Sequence, residues 1–179
     1  HATCPSQCAF QVWLQPLRCS RPGILVIMNV AATYTFDAPR DQVWSLLIDP
    51  AIIATCLPGC ESMQPTGDDT YKATLTIGIA AITGRYEGVI QMTDKREPGG
   101  YTLVVEGQGK PGFVKGSATI SLTEVDTRKT AVEVTGTAKV GGTIARVGQR
   151  LLGSVSKMMM DRFFACLQDR VQSSPEVSQ

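Results

Sequence analysis

Residues 141–171 read GGTIARVGQRLLGSVSKMMMDRFFACLQDRV. Ile144, Val147, Leu151, Val155, Met158, Met159, Phe163, Leu167 and Val171 recur there at helical intervals, which gathers them on one face of a helix. Arg146, Arg150, Lys157, Asp161 and Asp169 supply the polar side. The spacing predicts one amphipathic helix of about 30 residues, roughly 45 Å long, whose apolar stripe must lie against a surface.

The preceding residues supply that surface. Val30, Ala32, Tyr34 and Phe36 alternate with Ala31, Thr33, Thr35 and Asp37, a period of two that reads as a strand with its even face buried. A helix follows, with Asp37 as its cap, Pro39 in its first turn and Val43, Trp44, Leu47 and Ile48 as its stripe. Asp49-Pro50 ends it, and a second short helix spans Ile52 to Leu57 before Pro58-Gly59. From Glu61 the chain reads as six strands divided by turn chemistry at 65–69, 83–84, 97–100, 110–112 and 126–129. In each, one face is apolar and the other Thr, Lys and Glu, so the sheet has one buried side and the last helix covers it. The expected class is α+β: a seven-stranded curved antiparallel sheet wrapped on a long C-terminal helix, with two short helices after the first strand, the helix-grip arrangement.

Composition limits the chemistry. The 179 residues suit one domain, and 43% apolar with 18% charged residues suit a packed core rather than disorder. The net charge of +1 gives no footprint for nucleic acid. The one histidine is His1, so no internal imidazole exists for a triad, a zinc site or a proton shuttle. No catalytic residue and no metal ligand set is identified. No run approaches the roughly 18–20 apolar residues that cross a bilayer.

Residues 1–27 contain no acidic residue but hold Cys4, Cys8 and Cys19, and the composition changes at Met28. The apolar run 24–28 after Arg18 and Arg21 is short for a signal peptide core of roughly 7–15 residues. The expected organisation is therefore a leader, tag or upstream extension over 1–27 outside the fold, a domain over 28–172 and a flexible tail over 173–179. The odd number of cysteines left in the body, Cys56, Cys60 and Cys166, argues against a disulfide framework and reads as small buried or half-buried thiols.

Several strings resemble one family. They are Phe36-Asp-Ala-Pro39 with Val43-Trp44 and Leu47, Asp49-Pro50 followed by Cys56-Leu-Pro-Gly-Cys60, Gly112-Phe113-Val-Lys-Gly116, and Val140-Gly-Gly-Thr-Ile-Ala-Arg-Val-Gly148. Over Met28 to about Val171 the chain resembles the CoxG-like proteins of carbon monoxide dehydrogenase, a family of the START and birch-pollen-allergen (SRPBCC) superfamily. The resemblance implies a cytoplasmic, non-catalytic accessory protein with an apolar cavity. It would hold a lipophilic molecule such as a quinone or lipid and assist a molybdenum hydroxylase of the carbon monoxide dehydrogenase type, peripherally at the inner face of the membrane. Many relatives carry a long C-terminal membrane-binding extension that the sequence to Gln179 does not show, which leaves membrane anchoring of this chain an open question. No cofactor is expected beyond such a ligand, and the oligomeric state is open. The alternatives are a cyclase- or hydrolase-like enzyme acting on an aromatic or polyketide substrate, and an interaction module with a filled core.

The candidate cavity lining is Trp44, Leu47 and Pro58 from the helical segment, and Leu75, Ile77, Leu103, Val105, Phe113 and Ile120 from the sheet. Val155, Met158, Met159 and Phe163 complete it from the closing helix, where flexible thioethers suit a pocket that repacks around an apolar ligand. Candidate head-group contacts are Tyr34, Tyr71, Tyr86 and Lys115. Gly109, Gly112 and Gly116 form a hairpin poor in side chains, a candidate gate.

Overall fold

The structure, a computed structural model, describes residues 24–79 and 82–173, and most of the expected leader and tail lies outside them. Its first strand, β1 (Leu25–Phe36), begins three residues before the boundary expected at Met28, so Leu25, Val26 and Ile27 belong to the sheet. Two short helices follow, α1 (Arg40–Ile48) and α2 (Pro50–Cys56), then β2 (Cys60–Gly67), β3 (Thr70–Ile77), β4 (Gly84–Arg96), β5 (Gly100–Gly109), β6 (Gly112–Asp126) and β7 (Lys129–Gly142). The chain closes with a 3-10 turn over Thr143–Val147 and the helix α3 (Gln149–Ser173). The seven strands form one antiparallel sheet in the order β1-β7-β6-β5-β4-β3-β2, which leaves β1 and β2 as its edges.

The helix starts differ from the expected capping. Pro39 occupies the N-cap of α1, with no side-chain cap. Asp37 instead accepts a hydrogen bond from Gln168 Nε2 of α3 at 3.5 Å. The carboxylate cap falls one helix later, where Asp49 Oδ1 accepts from the Ala51 amide at 2.9 Å and Pro50 takes the first turn, which needs no donor. α2 ends at Leu57, whose amide returns to the Ile53 carbonyl, and Gly59 (φ +77°) turns the chain into β2. A Cβ at Gly59 would meet the Thr76 carbonyl oxygen, so backbone angle and space both favour glycine there.

The closing helix is one turn shorter than its stripe suggests. Gly148 (φ +85°) separates the 3-10 turn from α3, which keeps 25 residues, about 37 Å at the usual rise. Ile144 is buried from the 3-10 turn rather than from the helix. The buried face of α3 is Leu152, Val155, Phe164, Leu167 and Val171, while Leu151 is exposed and Phe163 half-buried. Adjacent apolar pairs leave the phase of a stripe open by one residue, and packing against the sheet selects it.

The core is split. A larger cluster joins Phe36, Val43, Trp44 and Leu47 to Ile120, Val132, Val134, Phe164 and Leu167 at the α1 end. A smaller one gathers Met28, Ile82, Tyr86, Val140, Ile144, Leu152 and Val155 at the other. Thr130 is fully buried, and its hydroxyl donates to the Ala38 carbonyl at 2.8 Å, which ties β7 to the turn leading into α1.

Candidate functional site

Between the two clusters the concave face of the sheet does not meet α3. The space left is about 380 Å³, within the roughly 300–1,000 Å³ common for small-molecule sites. Of the residues singled out for a lining, Leu47, Leu75, Leu103, Val105, Ile120, Met159 and Phe163 border this hollow, and so do Tyr86 and Gly116.

The others lie elsewhere. Trp44 packs in the larger cluster, its ring edge-on to Tyr101 at 5.8 Å between centroids. Ile77 and Val155 pack in the smaller cluster, which closes the opposite end. Pro58 sits half-buried in the turn after α2, and Met158 one position before the bordering Met159. Phe113 is 40% exposed because odd-numbered residues of β6 point to the outer face, as does Lys115, which pairs with Glu106 at 3.3 Å. Tyr71 is half-buried against the larger cluster, beyond the hollow's border.

The candidate gate glycines lie inside the paired sheet. Gly109 and Gly112 face each other across the Lys110-Pro111 turn of the β5–β6 hairpin. A Cβ at Gly109 would meet the Arg85 carbonyl, and one at Gly112 the Gly141 carbonyl. Close approach of neighbouring strands on both sides accounts for these glycines.

Sequence reasoning missed Ile53 of α2 and Leu57 at its C-cap, and Met92, Tyr101, Ala118 and Phe164. Strand parity held part of the signal, since Ala118 shares a face with Ile120, and Tyr101 with Leu103. Nothing local marked α2, whose contribution depends on how it folds back over the sheet.

The polar groups near the hollow are already engaged. The Tyr86 hydroxyl donates to the Ile82 carbonyl at 2.8 Å and the Tyr101 hydroxyl to the Leu47 carbonyl at 3.2 Å. Burial pushes both phenols above their ordinary range, Tyr101 most strongly. Glu87, Ser117 and Thr137 also border the space, but they lie on the outward-facing parity of their strands and are exposed. No cluster of three or more His, Cys, Asp or Glu side chains suited to a metal ion occurs among the described residues.

Two further linkages help to hold α3 in place. Tyr34 stacks on Phe164 at 4.1 Å and donates its hydroxyl to Asp161 Oδ1 at 2.7 Å, while Lys157 Nζ reaches Asp161 Oδ2 at 2.7 Å. Burial, then the hydrogen bond to Asp161, raise the Tyr34 phenol, and the bonds from Lys157 and Tyr34 hold the Asp161 carboxyl below its usual range. Tyr34 thus serves a groove outside the hollow rather than a head group within it.

The second linkage corrects the expectation of free thiols. Cys56 at the end of α2 and Cys166 in α3 form a disulfide, with Cα atoms 5.4 Å apart and a separation of 110 positions in sequence. Cys60 remains a half-buried thiol that donates to the Ser62 carbonyl at 3.5 Å, and burial raises its pKa. Cysteine parity could not reveal which pair the folded helices bring together.

A one-sided sheet gripping a helix around an apolar hollow defines a helix-grip protein. Residues 33–172 match the family model of the CoxG subunit of carbon monoxide dehydrogenase, and the chain belongs to that family. A crystal structure of a conserved protein from Geobacillus kaustophilus is 40% identical, with a TM-score of 0.81 over 82% of this chain and 97% of that one. The Zhui aromatase/cyclase from Streptomyces sp. R1128 is 16% identical, with a TM-score of 0.62 over 82% of this chain and 94% of its own. Truncated norcoclaurine synthase from Thalictrum flavum is 13% identical, with a TM-score of 0.62 over 84% and 97%. These last two show the shared fold alone. No curated protein matches the chain. Among the described residues no helix is long and apolar enough to cross a membrane.

Proposed function

We propose that this protein is a non-catalytic accessory carrier. It holds a lipophilic small molecule, quinone-like or lipid, in the hollow between sheet and α3 and assists a molybdenum hydroxylase of the carbon monoxide dehydrogenase type. The observation that carries the reading is the lining: side chains pointing inward are almost all aliphatic, aromatic or thioether, and the two phenols among them donate to backbone carbonyls. Such a space favours an apolar ligand, and among the described residues it offers an acid–base reaction no inward carboxylate, amine or imidazole. The family supports the partner class.

A place in the cytoplasm, in peripheral contact with the membrane, belongs to the same proposal. On the outer face Leu25 and Phe113 flank Gly141 in register, and the next row is Ile27, Lys139 and Lys115. Exposed apolar side chains beside lysines suit an anionic lipid surface.

The test uses a short-chain ubiquinone analogue as probe, with titration calorimetry on the full chain. Saturable one-to-one binding is expected for wild type, and Ala118→Trp, which fills the hollow, abolishes it while leaving the circular dichroism spectrum unchanged. Absence of binding in wild type, together with no lipid in a solvent extract analysed by mass spectrometry, would end the carrier reading. Co-purification with a molybdenum hydroxylase encoded beside the gene tests the partner separately.

A further inference from the structure

The two edges of the sheet are built differently. At one, β2 contains Glu61 and Pro65 and breaks register with β3 twice, between Cys60 and Ser62 and between Pro65 and Gly67. Charges, prolines and bulges are the devices by which edge strands avoid pairing with another chain. At the other edge the twelve residues of β1 include no charge and no proline, and they pair with β7 without a register break.

The outer side of β1 carries unmet hydrogen-bonding groups. Gln149 Nε2 donates to the Ile27 carbonyl at 3.1 Å, so that carbonyl points away from β7. Alternation along the strand turns the amide and carbonyl groups of Asn29, Ala31 and Thr33 the same way. These groups have no hydrogen-bond partner among the described residues. All three residues line a groove of about 390 Å³ between β1 and α3, whose far wall includes Gly153, Ser156 and the Lys157–Asp161 ion pair. Gln149 closes one end of this edge, and the Tyr34–Asp161 hydrogen bond bridges strand to helix near the other.

We propose that β1 is a dimerisation edge: it pairs antiparallel with β1 of a second copy of this chain about a two-fold axis at Ala31. That register sets Ala31 opposite Ala31 and Asn29 of one copy opposite Thr33 of the other, so outward-facing residues meet and each pair exchanges both main-chain hydrogen bonds. A one-residue slip sets outward-facing residues against inward-facing ones. Self-pairing fits because the strand has no charge to meet its own like, and an isologous contact satisfies the edges of both copies together. Lys157 and Asp161 on the groove wall have opposite signs, so their two-fold copies add no net charge. Ile27, more than half exposed, falls opposite Thr35 of the other copy in this register and gains cover from it.

Sedimentation velocity and light scattering on the full chain test the proposal, with deuterium exchange read at the amides of Asn29, Ala31 and Thr33. Wild type is expected at twice the monomer mass, with those amides protected. Ala31→Pro removes an outward N–H that β7 does not use, and Ala31→Lys sets two like charges face to face on the axis. Each raises the dimer dissociation constant by at least about tenfold. Thr135→Lys, beside Ala31 but one strand in, adds the same charge and leaves the dimer intact. Ala31→Lys keeps the backbone donor, so it reports even if the proline variant does not fold. A wild-type monomer at every concentration overturns the proposal, as does a dimer that folded Ala31→Lys leaves unchanged. Protected amides in a monomer also overturn it and would assign the edge to residues 1–23 of the same chain.

Discussion

Cutting the Cys56–Cys166 disulfide should lower stability by several kcal/mol and loosen one wall of the hollow. The cross-link closes a loop of 110 residues. The chain-entropy relation puts the unfolded-state restriction at about 16 cal/mol/K, or about 4.8 kcal/mol at 25 °C. Residual compactness of the unfolded chain reduces this, so the expected loss is about 3–5 kcal/mol. For a domain of this size that corresponds to a fall of roughly 10–15 °C in melting temperature. Urea denaturation with and without reductant measures it, with Cys166→Ala as the control that leaves Cys4, Cys8 and Cys19 untouched. Reduced wild type and Cys166→Ala should agree within about 1 kcal/mol, because both lose the same loop constraint. The disulfide also joins α2, which with its C-cap contributes Ile53 and Leu57 to the hollow, to α3, which contributes Phe163 and Phe164. Release of a bound ubiquinone analogue should therefore quicken on reduction. Equal urea midpoints in the two redox states, with thiol content verified by mass, would refute the reasoning. In a reducing cytoplasm the pair would stand as thiols, so the stability measured with reductant is the one that bears on the proposed setting.

The Asp161 carboxyl lies below its ordinary range when folded, so its contribution is complete above the usual carboxylate pKa of about 4 and is lost as pH falls through the depressed value. Asp161→Asn should flatten that acid limb in denaturation midpoints, and an unchanged limb contradicts the assignment. Tyr34 is raised, so its contribution is complete below the usual phenol pKa of about 10 and disappears only as pH climbs through the raised value; ultraviolet titration of Tyr34→Phe against wild type locates that phenol. Trp44 is buried with an indole N–H that has no partner among the described residues, so Trp44→Phe should cost less than about 1.5 kcal/mol despite the smaller ring; a loss above about 3 kcal/mol would mean the N–H is satisfied. Cys60, half-buried and with a raised pKa, should alkylate slowly near neutral pH and quickly in urea, read by peptide mass mapping; equal rates would place it at the surface.

Period-two alternation in residues 30–36 and 71–77, the turn residues between later strands and the apolar spacing of 151–171 sufficed for the order of elements, the one-sided sheet and the helix that covers it. These are local signals, because burial on one side of a strand or helix leaves its period in the sequence. Four of the six strand residues expected in the lining, Leu75, Leu103, Val105 and Ile120, border the hollow from concave positions, as parity requires.

What depended on tertiary structure were features that two distant segments make together. The phase of α3 is set by the sheet beneath it, which buries Leu152 and Phe164 while Leu151 is exposed and Phe163 only half-buried at the hollow. Gly148 ends the helical register where the sequence pattern alone runs on, because apolar spacing does not record a left-handed backbone angle. The pairing of Cys56 with Cys166 exists only because α2 folds back against α3. The hollow itself is a mismatch between a curved sheet and a straight helix: its volume is a difference between two surfaces, and no residue's own pattern carries it.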